Sequence, residues 1–195
     1  QMCSAGSRLL VHDTIREAFM EKLLAAAADF IPDDPLLPTT KLGPVVTIAQ
    51  RDKIINYYHD AITAGAEPLL PSPVAKGCYL SPMILDKIHP NMAIAQEEVF
   101  GPLLAVIGFS NEEQAIASAN NSCYGLAAAL WSRDINRVLR VADKLQAGLV
   151  SVNCFDGGDI TTPFGGMRQS GFGRDKGRHA LDKYTASKTI WIERA

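Results

Sequence analysis

Three short stretches of this 195-residue chain hold residue types that could do chemistry. The first is Met2-Cys3-Ser4-Ala5-Gly6-Ser7-Arg8. A cysteine followed by small residues can sit at an open turn, where a substrate carbon can approach the sulfur. Such a thiol is nucleophilic as thiolate, a form that a nearby cation or backbone donors favour. The spacing alone leaves a structural cysteine an equal alternative. The second stretch is Gln96-Glu97-Glu98-Val99-Phe100-Gly101-Pro102, just ahead of an apolar run at Leu103. One of its two carboxylates could be a solvated surface charge while the other accepts paired hydrogen bonds from a ligand diol such as a ribose. A plain charged loop is the competing reading. The third stretch is the glycine-rich loop from Asn153 to Gly173, which carries Phe155, Asp156, Asp159 and Phe164. Loops of this length inside a compact domain are usually functional. Its glycines suit tight turns, and a phosphate cradle is conceivable, but the pattern is neither the P-loop nor the dinucleotide fingerprint.

The elements that must position these stretches alternate between strand and helix. Arg8 to Val11 reads as a strand, and Asp13 as the N-cap of a helix reaching about Phe30, with Ile15, Phe19, Leu23 and Ala26 on one face. Ile31 to Gly43, with Pro32, Pro35 and Pro38, is a loop. A second helix spans about Thr47 to Ala64, carries Ile48, Ile54, Ile55, Tyr58 and Ile62, and stops at Gly65. Glu67 to Leu70 and Tyr79 to Leu85 read as strands, and Leu103 to Phe109 as a strand covered on both faces. The sequence Ser110-Asn111-Glu112-Glu113 then has the form of a capping box. Leu126 to Trp131 and Gly148 to Val152 are further strands, with Ile135 to Leu145 a helix between them. A short helix, Asp175 to Tyr184, and a strand, Lys188 to Ile192, follow the long loop. This order predicts one α/β domain, a mostly parallel open sheet with helices on both faces. Ligand chemistry is then expected in loops beyond the carboxyl ends of the strands.

Composition removes several classes of function. Lys and Arg number 19 against 21 Asp and Glu, a net charge of −2, and no basic run exceeds two residues, so a nucleic-acid partner is not expected. No run of Ala, Val, Ile, Leu, Met, Phe, Trp, Tyr and Cys exceeds six residues, whereas a spanning helix needs roughly 20. No secretory signal is evident either, so no membrane partner is expected. Cys3, Cys78, Cys123 and Cys154 contain no Cys-x-x-Cys pair, and His12, His59, His89 and His179 show no metal-ligand spacing. Free thiols in a reducing cytoplasm and no metal site are the expectation.

Taken together and in this order, the three stretches resemble the NAD(P)-dependent aldehyde dehydrogenase superfamily. Cys3-Ser4-Ala5-Gly6-Ser7-Arg8 is similar to the segment bearing its catalytic cysteine, and Glu98-Val99-Phe100-Gly101-Pro102 to its Glu-x-Phe-Gly-Pro motif. The run from Pro163-Phe164-Gly165-Gly166 to Ser170-Gly171-Phe172-Gly173-Arg174 is similar to its Pro-Phe-Gly-Gly-x-x-x-Ser-Gly-x-Gly-Arg signature. Asn120 to Leu126 and Tyr184 to Thr189 also fit. Phe155 to Phe164 and Gly173 to Lys176 most resemble the branch acting on γ-glutamyl-γ-aminobutyraldehyde in polyamine catabolism.

The resemblance implies roles residue by residue. Cys3 would add to the aldehyde as a thiohemiacetal and pass through a thioester, its own N–H serving as one oxyanion donor. Glu98 would hold the nicotinamide ribose, Phe100 would pack near the nicotinamide, and Phe155 and Phe164 would line the aldehyde pocket beside Asp156. A cationic or amide-bearing substrate tail could face Asp156 or Asp159. The family implies NAD or NADP as cofactor, a small aldehyde as substrate and a dimer or tetramer as assembly. It also implies that residues 1–185 form the catalytic domain and that 186–195 carry a strand for oligomerisation.

Family members are more than twice this length, and their dinucleotide domain, general-base glutamate and oxyanion-hole asparagine lie upstream of the cysteine. The start at Gln1-Met2-Cys3 therefore reads as a cut almost at the nucleophile. Two other classes stay open: a cysteine hydrolase or acyltransferase using Cys3, and a non-catalytic oligomerising fragment. The expectation is that the 195-residue chain alone binds no cofactor and forms no NADH from any aldehyde. Steady NADH production by the purified chain, followed by its absorbance, would refute it.

Overall fold

The apolar run Leu103–Phe109 is a strand in the computed structural model, which describes residues 1–194. Its side chains alternate faces, as the two-residue period of a strand requires. Leu103, Ala105 and Ile107 enter one apolar cluster, while Leu104 and Val106 enter another. Both faces of this strand are covered, as its unbroken apolar sequence predicts.

That strand lies in the first of two compact units, Gln1–Ser122; the second begins at Cys123. In chain order the first unit holds β1 (Arg8–His12), α1 (Arg16–Ala27), α2 (Ile48–Thr63), β2 (Glu67–Pro68), β3 (Ala75–Lys76) and β4 (Tyr79–Leu80). It continues with β5 (Met83–Asp86), α3 (Ala93–Gln96), β6 (Leu103–Phe109) and α4 (Glu112–Asn120). A four-stranded sheet has the order β1-β6-β5-β2, with β1 and β5 parallel to β6 and the short β2 antiparallel at the edge. Met20, Leu23, Leu24 and Ala27 of α1 cover one face with Val11, Ile84 and Val106. Ile54, Tyr58 and Ala61 of α2 cover the other with Leu85, Leu103 and Ala105. The mostly parallel α/β sheet with helices on both faces is thus present in this unit.

The second unit contains β7 (Tyr124–Gly125), β8 (Ala127–Leu130), α5 (Ile135–Lys144), β9 (Leu149–Val152) and β10 (Met167–Arg168). β8 and β9 are parallel neighbours joined through α5, and β10 pairs antiparallel with β7. The Asp134 carboxylate caps α5, accepting from the N–H groups of Asn136 and Arg137. Strand–helix alternation predicts a single domain, but the strands after Cys123 pair with one another and build a unit of their own.

Several local expectations shift. The cap before α1 comes from His12, not Asp13: His12 Nδ1 accepts from Thr14 N–H at 3.2 Å, and Asp13 opens a 3₁₀ turn to Ile15. A 3₁₀ turn rotates the chain more per residue than an α-helix. The buried face of α1 is accordingly turned to Met20, Leu23, Leu24 and Ala27, leaving Ile15 and Phe19 exposed. Ile48 is also exposed, at the first position of α2, whose cap is the Thr47 hydroxyl. The box before α4 is displaced by one residue. Asn111 caps through Gln114 N–H, and the Gln114 side chain reaches back to Ser110. Pro82 has no N–H for a ladder, and the strand expected over 79–85 breaks there into β4 and β5. Residues 175–184 contain a 3₁₀ turn, Arg178–Lys183, in place of an α-helix. Residues 188–192 form no strand, and Ile190, Trp191 and Ile192 are exposed. Among the described residues no helix is long and apolar enough to cross a membrane.

Candidate active site

The Cys3 stretch is a hydrogen-bonded turn. Ala5 N–H donates to the Met2 carbonyl at 3.0 Å, which puts the exposed, free Cys3 thiol at the second position of the turn, beside the buried Ser4. The ends of this segment are fixed. Val46 N–H donates to Gln1 Oε1 at 2.8 Å, and Ala105 N–H donates to the Ser7 carbonyl at 3.0 Å where the chain enters β1.

The glutamate stretch lies along α2. Gln50, Lys53 and Tyr57 recur at helical spacing and point the same way. Gln50 Nε2 donates to the carbonyls of Val99 and Phe100 at 2.8 and 3.1 Å, and Lys53 Nζ donates to the Glu98 carbonyl at 3.4 Å. Tyr57 Oη donates to Glu97 Oε2 at 2.5 Å. Phe100 has a left-handed backbone, φ 58°, which is strained for an aromatic residue. The two bonds from Gln50 bracket it. Gly101 completes the close approach, because a Cβ there would fall 2.2 Å from Cδ1 of the fully buried Ile54. The two adjacent carboxylates are therefore distinguished. Glu97 is engaged by Tyr57, whereas the Glu98 carboxylate is exposed and, among the described residues, has no hydrogen-bonding partner.

Both stretches run into the amino ends of β1 and β6, which are parallel neighbours with Arg8 opposite Ala105. This differs from the carboxyl-end placement expected for a parallel sheet. The general rule describes ligands seated on helices that follow strands; here both stretches precede the strands, and the glutamate stretch is held by α2. An unpaired carboxylate beside a half-exposed ring suits a ribose diol with an attached flat heterocycle, so Glu98 and Phe100 fit a nicotinamide nucleotide.

In the second unit the long loop does leave the carboxyl end of a strand, β9. Asn153 closes its start by exchanging bonds with the Ser132 backbone, accepting at 2.9 Å and donating at 3.0 Å. Asp156 has φ 52° and an exposed carboxylate, and the next N–H, of Gly157, donates to the hydroxyl of the buried Ser151 at 3.3 Å. Asp159 differs. Its Oδ1 accepts from the Thr161 hydroxyl at 2.6 Å and from the Thr161 N–H at 2.8 Å, bonds that hold its carboxyl below the usual aspartate range. Asp159 builds the turn, and the Asp156 carboxylate is left exposed.

Phe164 is half-buried, bridged to Asp175 by paired backbone bonds of 2.8 and 2.7 Å, with the Lys176 ammonium 5.7 Å from its ring centroid. Phe155 is exposed. The space beside Gly165 and Gly166 is filled by protein: Arg174 donates to the Gly166 carbonyl at 2.8 Å, and the Gly165 carbonyl lies 1.7 Å from where a Cβ on Gly148 would stand. These glycines serve close backbone packing, and the geometry gives no phosphate cradle. Among the described residues no group of three or more His, Cys, Asp or Glu could hold a metal ion.

Gln50, Lys53 and Tyr57 escaped the sequence reading. Their signal was a polar i, i+3, i+7 stripe on α2, masked by the stronger apolar stripe on the same helix.

The sequence profile described as "Aldehyde dehydrogenase family" matches residues 1–190. The NADP/NAD-dependent aldehyde dehydrogenase PuuC of Escherichia coli is 42% identical over 192 residues, 98% of this chain and 39% of that protein. An aminoacetaldehyde dehydrogenase of Pseudomonas aeruginosa is 42% identical with the same coverage. A peroxisomal aminoaldehyde dehydrogenase of Pisum sativum is 42% identical over 97% of this chain and 39% of its own. Among solved structures, the indole-3-acetaldehyde dehydrogenase of P. syringae in complex with NAD+ and IAA superposes with a TM-score of 0.95 at 42% identity, covering 99% of this chain and 40% of that one. The chain thus spans about two-fifths of the length of these relatives.

The glycine packing yields a stability test. Gly148→Ala drives a methyl group into the Gly165 carbonyl, and such overpacking against backbone is expected to cost about 3 kcal/mol or more. Urea unfolding followed by circular dichroism measures it; an unchanged midpoint would contradict the close approach.

Proposed function

The chain belongs to the aldehyde dehydrogenase family, and from that premise we propose that it carries the nucleophile and nicotinamide-ribose site of an enzyme oxidising an aldehyde to a carboxylic acid with NAD or NADP. The observation that carries this reading is the unpaired Glu98 carboxylate at the same strand end as the exposed Cys3 thiol. Cys3 as thiolate adds to the aldehyde carbon, forming the C–S bond of a thiohemiacetal and leaving charge on the former carbonyl oxygen. The Cys3 N–H donates to that oxygen. Glu98 binds the ribose hydroxyls, and Phe100 limits where the nicotinamide can lie. When bound, the dinucleotide supplies the hydride acceptor for the oxidation. Water then cleaves the acyl–sulfur bond, releasing the acid and returning the thiolate. One sulfur serves both halves because a thiolate is a good nucleophile and an adequate leaving group.

The substrate class follows from the loop. Phe155 and Phe164 line the aldehyde's apolar portion, and Asp156 meets a cationic or amide-bearing tail, which makes an aminoaldehyde such as γ-glutamyl-γ-aminobutyraldehyde the proposed substrate. The aminoacetaldehyde and aminoaldehyde specificities named for two relatives support this reading. The proposed assembly is a homo-oligomer in which residues 186–195 add a strand to a neighbouring copy's sheet. The exposure of Ile190, Trp191 and Ile192 supports it.

Acyl transfer isolates the role of Cys3 without a cofactor. Exposed to p-nitrophenyl acetate, the chain is expected to carry an acetyl thioester on Cys3, mapped by peptide mass spectrometry and absent in Cys3→Ala. Acylation of Cys123 or Cys154 with Cys3 untouched would sink the assignment, and sustained ester turnover would favour a cysteine hydrolase.

Substrate preference tests the loop. In a chimera carrying this chain in place of the matching part of the E. coli relative, Asp156→Asn should lower the kcat/KM preference for amino over plain aliphatic aldehydes about tenfold, the size of one charged hydrogen bond. Asp159→Asn should leave that preference near the parent value. The reverse pattern would move the role to Asp159.

A further inference from the structure

Helix α4 ends without the glycine that often turns a chain away from a helix; its cap is Asn121, with φ −76° and ψ 69°. The last carbonyls of a helix need donors from outside it. Here they come from the two stretches that hold Cys3 and Glu98. Arg8, the first residue of β1, donates from Nη1 to the Ser118 carbonyl at 3.0 Å and from Nη2 to the Ala119 carbonyl at 2.8 Å. Gln96, the last residue of α3, donates from Nε2 to the Asn121 carbonyl at 2.9 Å and to the Pro90 carbonyl at 2.6 Å. Burial lowers the Arg8 pKa from its ordinary value, yet a guanidinium stays charged, and the negative end of a helix is a favourable place for that charge.

Arg8 stands five residues after Cys3, and Gln96 stands two residues before Glu98. α4 packs against both β1 and β6, the strands that the two stretches enter. A cap alone could be supplied by water or by any nearby donor. Donors from these two segments do something more, because they tie both to one rigid turn.

We propose that the carboxyl-terminal turn of α4 is the common mount that holds the nucleophile and ribose-binding segments in register, with Arg8 and Gln96 as its positioning residues. The inference rests on the reading of Cys3 as nucleophile and Glu98 as ribose ligand. Hydride loss from a carbon on the Cys3 sulfur requires the nicotinamide to stay within reach, and a misplacement on the order of 1 Å can cost about 100-fold in rate. A shared mount cancels motions that two independent loops would make separately.

The test measures register directly. In the full chain with Cys78, Cys123 and Cys154 changed to serine, nitroxide labels are placed on Cys3 and on the thiol introduced by Glu98→Cys. The distribution of spin–spin distances is expected to be narrow. Arg8→Met and Gln96→Leu should each widen it at least about twofold, as a released segment samples several conformations. Arg8→Lys, which keeps the charge and a donor, should stay close to the parent width. A merely stabilising role would shift the urea midpoint and leave the width alone. Unchanged widths in folded Arg8→Met and Gln96→Leu chains would overturn the proposal, and Gln96→Leu decides it if Arg8→Met does not fold. The mean of the distribution tests the underlying assignment separately. A separation too long for one nicotinamide riboside to bridge sinks the roles of Cys3 and Glu98, whatever the width.

Discussion

Burial of β6 on both faces is the constraint on which the first unit depends. Its alternate residues feed two different apolar clusters, so a slip of one residue would carry every side chain into the wrong one. That fixes the pairing of Arg8 with Ala105 and of Met83 with Leu103. The segments that enter β1 and β6 inherit the registration, and Cys3 and Glu98 are on those segments. The two segments at the amino ends of these strands are thereby located by hydrophobic packing.

Packing sets where the glutamate stretch begins, and α2 sets its shape. The Phe100 backbone is held in a conformation that costs on the order of 1–3 kcal/mol for a residue with a side chain. A free loop would relax from it. Gln50 takes the carbonyls of Val99 and Phe100, and Ile54 leaves no room for a side chain at Gly101, so the turn is pressed on the helix from both sides. Val99 is buried in this turn, while Glu98 and Phe100 on either side of it are exposed.

The elements legible in the sequence were those whose pattern is set by burial. β6 lies within the bounds its apolar run predicts, and α2 stops just ahead of Gly65, whose φ of 101° favours a glycine. Elements decided by something other than burial were read less well. The buried face of α1 was displaced because a 3₁₀ turn ahead of it and the Arg16–Asp86 ion pair set its rotation. Residues 188–192 have strand-forming composition and, among the described residues, pair with no strand; composition sets a strand's propensity, whereas a β-ladder also requires a partner. For the site, motif order pointed to Cys3, Glu98, Phe100 and the 153–173 loop. Arg8 and Gln96 lie within those motifs and Gln50 outside them, yet the sequence gives none of the three a task, because their partners are backbone carbonyls and leave no complementary residue type.

Acidic pairs in the two units follow one logic. Glu97 and Glu98 are identical in chemistry and adjacent, yet a tyrosine hydroxyl at 2.5 Å engages the first and leaves the second open. Asp156 and Asp159 lie three residues apart in one loop, and Thr161 takes the second through two short bonds. A carboxylate already bonded to its own chain must give up those bonds to hold a ligand, so the bonded member is worth more to the loop than to the ligand. Its bonds also limit the backbone on which its neighbour rides. In each pair one acid is bonded to its own chain and the other is exposed.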